Sequence, residues 1–459
     1  MGKNKKTIVF FAFLLVLISC ILPPPQGLNS DSTRAIAAFL FAIILWVTDV
    51  APPSLTGMAV MVMMPLLGVI SFEAAVSGFA SSMIWIVIGI SLISLGASNS
   101  GLDRRIAYNI LNLVKGRVYF VLLLIILITF ISVFFLPSSV GRTSLLVPIC
   151  IGLIKVMELK QGSNVAKIIF IGMPLASIYS STALITGGGS SIITAQLFEK
   201  MLGYHWSYVT WMIYFMPITI LMLIVLYFAL VFIYPPEVKF VDRWRDHINT
   251  QLRNMGRMNN KEKTVSVLLL LMILLLITSD WHQMPVALII VATGVVMCLP
   301  PVNVLVWEKN VKLIDWDTFI LFGASLSIAE SLQQTGAFDY LAKAAFIKLN
   351  GLSPLSLIAI VVAGCVVLRF MFSNMTGMTA AIIPVIISIS KAFNADPVIM
   401  SIIALTASNI CILLPTQSPN LMLTYGLGVY DMKEFGKIGL YLLGGYLLVI
   451  SAYILFYLP

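Results

Sequence analysis

The sequence predicts an all-α polytopic membrane protein: about 11 transmembrane helices plus two re-entrant hairpins, built as an inverted-topology repeat with broken helices. Three observations predict it. Of 459 residues, 60% are hydrophobic and only 10% charged, whereas a soluble domain carries roughly 25% charged residues. The apolar residues come in long runs nearly free of charge, such as 118–135, 265–277 and 440–457. About 20 such residues cross a bilayer as a helix, and runs that do not alternate exclude barrel strands. Finally, segments 118–157 and 353–392 are too long for one span, and each is interrupted midway by small, polar and glycine residues. Irregular backbone at that depth is tolerated only where it is buried in protein or faces a watery cavity.

Taken in order, the first apolar run (8–22) follows Lys3, Lys5 and Lys6 and precedes Pro23-Pro24-Pro25. Without a small-x-small cleavage site it reads as a retained span and not a signal peptide. Spans follow at 31–50, 54–71 and 82–99, then the hairpin 118–157, then 165–200 and 206–234. The long polar loop 235–263 divides the chain. Beyond it come 264–280, 285–304 and 316–334, the hairpin 353–392, then 396–424 and 437–457. The domains expected are an extra N-terminal span (1–30), a first repeat (31–234), the cytoplasmic loop (235–263) and a second repeat (264–459).

Charge placement orients these spans. With the N-terminus in the cytoplasm, 21 of the 28 basic residues fall on the cytoplasmic side, including Arg104, Arg105, Lys115, Arg117 and the run from Lys239 to Lys263. That is the positive-inside pattern. The net charge of +9 therefore points to a membrane and not to nucleic acid. The C-terminus is expected outside, in an integral plasma (inner) membrane protein. Five cysteines lie in or beside apolar runs, without a Cys-x-x-Cys pair, and read as small hydrophobes. His205, His247 and His282 are scattered. Neither set suggests a metal site or a disulfide, and no acid/base or nucleophile cluster suggests an enzyme.

The two halves resemble each other. Ser100-Gly101-Leu102-Asp103 matches Thr335-Gly336-Ala337-Phe338, and 37 residues separate Gly101 from Ser138 just as they separate Gly336 from Ser373. Each hairpin tip is followed by an aliphatic run and a proline, Pro148 or Pro384. Five spans and a hairpin make an odd number of crossings, so consecutive copies are inverted. That is the plan of many secondary transporters.

Four polar interruptions carry the chemistry: 137–143, 186–191, 373–379 and 415–420. Where a helix restarts, its unpaired N–H groups suit an anion. Where one stops, unpaired carbonyls with Ser, Thr and Asn oxygens suit a sodium ion. Small polar residues also serve helix packing in lipid, which accounts for a single serine but does not require helix breaks at four matched positions. Together these features point to a carrier of small anions.

The motifs resemble the divalent anion/sodium symporter family of the ion transporter superfamily. Trp46-Val47-Thr48-Asp49-Val50-Ala51-Pro52-Pro53 resembles its Trp-x-Thr-Glu-Ala-Ile-Pro signature. Ser77-Gly78-Phe79-Ala80, Ser100 to Ala107 and Leu321-Phe322-Gly323 match as well. The resemblance implies a homodimeric, elevator-type transporter of di- or tricarboxylates (succinate, malate, citrate) or of sulfate. It implies sodium as coupling ion and no other cofactor; proton coupling or exchange remains an alternative.

The family's Ser-Asn-Thr motifs at the hairpin tips map onto Ser373-Asn374 with Thr376, and onto a degenerate Ser138-Ser139. With the polar interruptions and the charge at position 142, this mapping gives an expected substrate site of Ser138, Ser139, Arg142, Thr143, Ser373, Asn374, Thr376 and Thr416. For sodium it implies Ser138, Ser139, Gly187, Gly188, Ser373, Asn374 and Thr416.

Arg142 departs from the family pattern. A guanidinium at a membrane-buried tip needs a partner or water and marks function by default. Three readings stand for it: a substrate ligand, a fixed charge in place of the first sodium, or a brace for the tip. Arg369, four residues before Ser373, reads as a structural residue that snorkels or pairs. Glu330 reads as a solvated helix end rather than a proton carrier.

Overall fold

The computed structural model describes residues 2–114, 116–136, 138–160, 162–241, 244–349, 353–372, 374–410 and 412–457. Among these, every regular element is helical. Before the first hairpin come α1 (Gly2–Ile21), α2 (Ser30–Thr48), α3 (Pro53–Leu66), the short α4 (Phe72–Val76), α5 (Ser82–Ser100) and α6 (Leu102–Leu111). The hairpin is α7 (Val118–Ile131) and α8 (Ser139–Val156). It is followed by α9 (Asn164–Ser180), α10 (Gly189–Leu202) and α11 (Tyr208–Ile233). The polar loop holds α12 (Trp244–Met255), and α13 (Asn260–Ile277), α14 (Ser279–His282), α15 (Val286–Cys298) and α16 (Trp307–Asn310) lead onward. Then the order recurs: α17 (Trp316–Gln334), α18 (Ala337–Leu349), the hairpin α19 (Pro354–Arg369) and α20 (Met375–Ala392), α21 (Pro397–Ile410), α22 (Pro419–Tyr425) and α23 (Met432–Tyr457).

The recurrence is close. α5 and α17 both have 19 residues, α8 and α20 both 18, α11 and α23 both 26. Pro148 and Pro384 lie inside the matching helices α8 and α20. Gly101 and Gly336, paired on sequence spacing, both adopt left-handed φ, 84° and 74°, which glycine reaches without steric cost. Both apolar segments split into two helices, with the break where the polar residues lie.

Besides the one-turn helices α4 and α16, sequence reading missed three longer ones. α6 and α18 stand where connections were expected, and α12 where a plain loop was. α6 and α12 are short and amphipathic: Leu102, Ala107 and Leu111 are buried on α6 while Arg104 is exposed, so 3.6-residue periodicity holds without enough apolar length to span. Span 285–304 is also shorter than expected, because α15 stops at Cys298 before Pro300 and Pro301.

Among the described residues, six helices are long and apolar enough to cross a membrane alone: α2, α5, α8, α11, α20 and the α23 stretch Met432–Leu455. Large side chains stay bare on several helices, including Phe10, Phe11, Phe228, Phe232, Leu270, Leu274 and Leu448. Apolar patches on this scale mark a surface made for lipid or partner, not water.

The chain forms two compact units. The first comprises Met1–Val87, Ile192–His205 and Asp315–Ser408. Within it the Trp46 indole donates to the Pro53 carbonyl at 3.2 Å, stapling the α2–α3 turn where Asp49 sits at φ 49°. Gly78 and Gly323, from two distant motifs, meet so closely that a Cβ on Gly78 would lie 2.3 Å from the Gly323 oxygen. Ser54 Oγ donates to Asp317 Oδ1 at 2.5 Å, and Glu330 takes both the Lys200 ammonium and the Ser77 hydroxyl. Glu330 is thus an ion-pair partner rather than a merely solvated end.

The second unit comprises Ile88–Ser191, Trp206–Ile314 and Asn409–Pro459. In its middle is α9, buried on nearly every residue. Arg105 grips Glu262 with both arms of its fork (Nε to Oε1 2.8 Å, Nη2 to Oε2 3.1 Å), while Glu262 completes a capping box with Asn259. Burial alone would raise the Glu262 carboxyl, but the Arg105 fork and the Asn259 N–H outweigh it and hold it below the ordinary 4.5.

Candidate functional site

The first hairpin tip is built by a helix that stops and another that starts. α7 ends in a 3-10 turn, Ser132–Phe134, and α8 begins at Ser139. Ser138 caps α8: its Oγ accepts from the Gly141 N–H at 3.1 Å and satisfies one of the free donors of the first turn. Ser138 is exposed, Ser139 half-buried, and Thr143 buried with its hydroxyl donating to the Ser139 carbonyl at 3.0 Å. Pro137 lies outside the described residues.

Arg142 is completely buried. Its Nη1 donates to the carbonyls of Leu136 (2.6 Å) and Gly187 (3.4 Å), its Nη2 to the Ser177 carbonyl (2.7 Å) and the Ser181 hydroxyl (2.7 Å), and its Nε to the Ser177 hydroxyl (3.2 Å). One side chain thereby joins the hairpin tip, the last turn of α9 and the glycine break after it. Of the three readings of Arg142, the geometry is that of an inward-turned charge engaged by protein oxygens, not one presented to a solute. Gly187 is buried and Gly188 half-buried in that break. A Cβ on Gly187 would lie 2.5 Å from the Ser181 oxygen, so the close approach requires glycine.

The second interruption of this unit starts where α21 ends. Cys411 lies outside the described residues. Gln417 Oε1 accepts from the N–H groups of Leu413 (2.8 Å) and Leu414 (2.9 Å), and Ser418 Oγ donates to Asn420 Oδ1 at 3.2 Å. The Asn409 amide oxygen accepts from Ser190 Oγ at 3.1 Å, and Tyr179 donates to the Ile410 carbonyl at 3.2 Å, tying the two broken segments together. Thr416 is exposed on the 3-10 turn Pro415–Gln417.

The other tip, in the first unit, follows the same plan. Asn374 caps α20 by accepting from the Gly377 N–H at 3.0 Å, and Thr376 is half-buried in the first turn. Ser373 lies outside the described residues. Arg369 is buried and donates to the Phe372 carbonyl at 2.6 Å, so it pairs with the tip and does not snorkel to the interface.

Ser177, Ser181, Asn409 and Gln417 were missed in the sequence. Ser177 and Ser181 had a readable signal, since a four-residue spacing puts both hydroxyls on one helix face just before the glycine run.

Apolar spans interrupted in pairs, with helix ends and short polar side chains gathered at the interruptions, define a membrane transporter and not an enzyme. The chain belongs to the family described as the sodium:sulfate symporter transmembrane region, whose profile matches residues 3–458. A protein of Cupriavidus necator, named only as a membrane protein, is 25% identical over 455 residues, covering 94% of this chain and 88% of that one. The sodium-dependent dicarboxylate transporter SdcS of Staphylococcus saprophyticus is 23% identical over 453 residues (93% of this chain, 86% of that one). SdcS of Staphylococcus aureus is 24% identical over the same length and coverage. The crystal structure of the Alcanivorax borkumensis YdaH transporter, titled as having an unusual topology, superposes with a TM-score of 0.57. It is 12% identical and covers 100% of this chain and 99% of that one, a likeness of fold.

Proposed function

We propose that the protein is a sodium-coupled secondary transporter of small divalent anions, with di- and tricarboxylates such as succinate, malate or citrate as substrates. The observation that carries the reading is the pair of hairpins. In each, a full-length helix starts at the tip, with Ser138 or Asn374 capping it and further first-turn N–H groups behind the cap. Such helix starts favour anions. The names of the SdcS relatives favour dicarboxylate over sulfate and favour sodium as the driving ion.

On this reading the candidate substrate ligands are Ser138, Ser139, Thr143 and Thr416 in the second unit and Ser373, Asn374 and Thr376 in the first. The hairpins move with their broken helices in an elevator-type cycle of a homodimer, and the repeats at 31–234 and 264–459 have opposite orientation. The distribution of basic residues supports a cytoplasmic N-terminus in the plasma (inner) membrane.

Uptake into proteoliposomes tests it. Labelled succinate, citrate and sulfate are offered with an inward sodium gradient or with potassium in its place. Saturable accumulation of a carboxylate that needs the sodium gradient is expected. Accumulation indifferent to sodium would shift the reading to exchange or proton coupling, and transport of none of these anions would overturn it.

A further inference from the structure

The geometry points to Arg142 as a tethered cation: it fills, from the chain itself, an oxygen cage at the first hairpin that would otherwise draw a free monovalent cation. The proposal deepens the transport reading by assigning the first tip a built-in positive charge where a sodium-coupled carrier would be expected to bind an ion.

The cage has the chemistry of a cation site. Its oxygens are the carbonyls of Leu136, Ser177 and Gly187 and the hydroxyls of Ser177 and Ser181, at 2.6–3.4 Å from the guanidinium nitrogens. Carbonyl and hydroxyl oxygens are the ligands hard cations take, and carbonyls freed where helices unwind are where transporters hold sodium. Leu136 follows the end of the α7 segment, and Ser177 lies in the last turn of α9. Two helix C-termini, each with partial negative charge, thus face one spot.

The hydroxyl protons are already committed. Ser177 Oγ donates to the Ser139 carbonyl at 2.8 Å, and Ser181 Oγ donates to the Ser177 carbonyl at 3.0 Å. Both serine oxygens are left with lone pairs turned to the charge, the arrangement a bound ion selects. The guanidinium differs from an ion in one respect: it enters on α8 and cannot leave, so the tip closes onto α9 whether or not sodium is present.

The experiment reads cation binding, not transport, so its failure is separate from failure of the transport reading. The purified full chain and the variants Arg142→Ala and Arg142→Lys are melted in detergent at matched ionic strength. The salts are N-methyl-D-glucamine chloride, sodium chloride, or N-methyl-D-glucamine chloride with low-millimolar guanidinium chloride. Arg142→Ala is expected to melt well below wild type in N-methyl-D-glucamine. It should regain part of that loss, in a concentration-dependent way, with sodium or guanidinium. The sodium shift should exceed any that wild type shows, and guanidinium should leave wild type unmoved. Arg142→Lys, which keeps a tethered charge, should follow wild type.

Equal sodium responses in Arg142→Ala and wild type, with no rescue by guanidinium, would overturn the proposal. So would an Arg142→Ala protein that cannot be recovered folded even with both cations present, because the cage would then need the arginine itself. A lysine variant as impaired as the alanine one would also overturn it, by showing that the fork and not the charge is required.

Discussion

Arg142 meets Ser177 twice, Nε against its hydroxyl at 3.2 Å and Nη2 against its main-chain oxygen at 2.7 Å. The second contact uses an atom no substitution at 177 removes; the first depends on the side chain. Ser177→Ala therefore takes away one acceptor of a buried charge and also the donor to Ser139. A hydrogen bond to a charged group contributes about 1.5–3 kcal/mol, and a loss of that size is expected on unfolding in detergent. Ser181→Ala should cost a similar amount. Because both serines serve one guanidinium, the double variant should fall short of or exceed additivity by a measurable coupling.

The Gly78–Gly323 contact should be intolerant of a single methyl group. With the Gly323 oxygen 2.3 Å from an ideal Cβ on Gly78, Gly78→Ala must push the 3-10 turn Ser77–Ala80 off α17. Overpacking of this kind costs about 1–3 kcal/mol. Gly162 is a fitting control, since a Cβ there meets nothing within 4 Å. Gly162→Ala is expected to leave the melting temperature unchanged while Gly78→Ala lowers it.

The Arg105–Glu262 fork gives a pH-dependent contribution with a definite sign. The folded carboxyl titrates below its ordinary value of 4.5, so the unfolded state binds the proton first. The stabilisation is fully present above about pH 4.5 and is lost as pH falls through the depressed folded value. No dependence from this pair is expected between pH 6 and 8. Unfolding measured from pH 6 downward should show wild type losing stability, and Glu262→Gln, already weakened, losing less over the same interval.

These residues show how far the sequence reaches. The hairpins, the breaks and the repeat were legible because each is a local departure from an apolar run: Ser138, Gly187 and Asn374 stand out against leucines and isoleucines. The Trp46-to-Pro53 and Gly78/Gly323 motifs were legible as motifs, yet their work, a turn staple and a glycine-on-glycine contact, needed coordinates. Of the partners of Arg142, only the Ser177 and Ser181 hydroxyls left a trace in the sequence, through their four-residue spacing. Three of its acceptors are main-chain carbonyls, which have no side-chain signature, and which carbonyl a buried guanidinium finds is decided by tertiary packing. Helices α6 and α12 were missed because a search for spans asks for length, and short amphipathic helices fail that requirement.

The two tip caps offer a last, functional comparison. Ser138 and Asn374 each hold one N–H of the helix behind them, at 3.1 Å and 3.0 Å. Replacing such a cap by alanine costs about 1 kcal/mol of stability, and if capping were their whole purpose, uptake by Ser138→Ala and Asn374→Ala at a permissive temperature would stay near wild type. If the capped helix starts also receive the anion, the substitution removes a ligand from the solute as well. The concentration of succinate needed for half-maximal uptake should then rise several-fold in each variant. A glycine variant separates the two effects, since glycine at a cap costs only a few tenths of a kcal/mol yet supplies no hydroxyl or amide. Ser138→Gly and Asn374→Gly should be nearly as stable as wild type and as weak for succinate as the alanine variants.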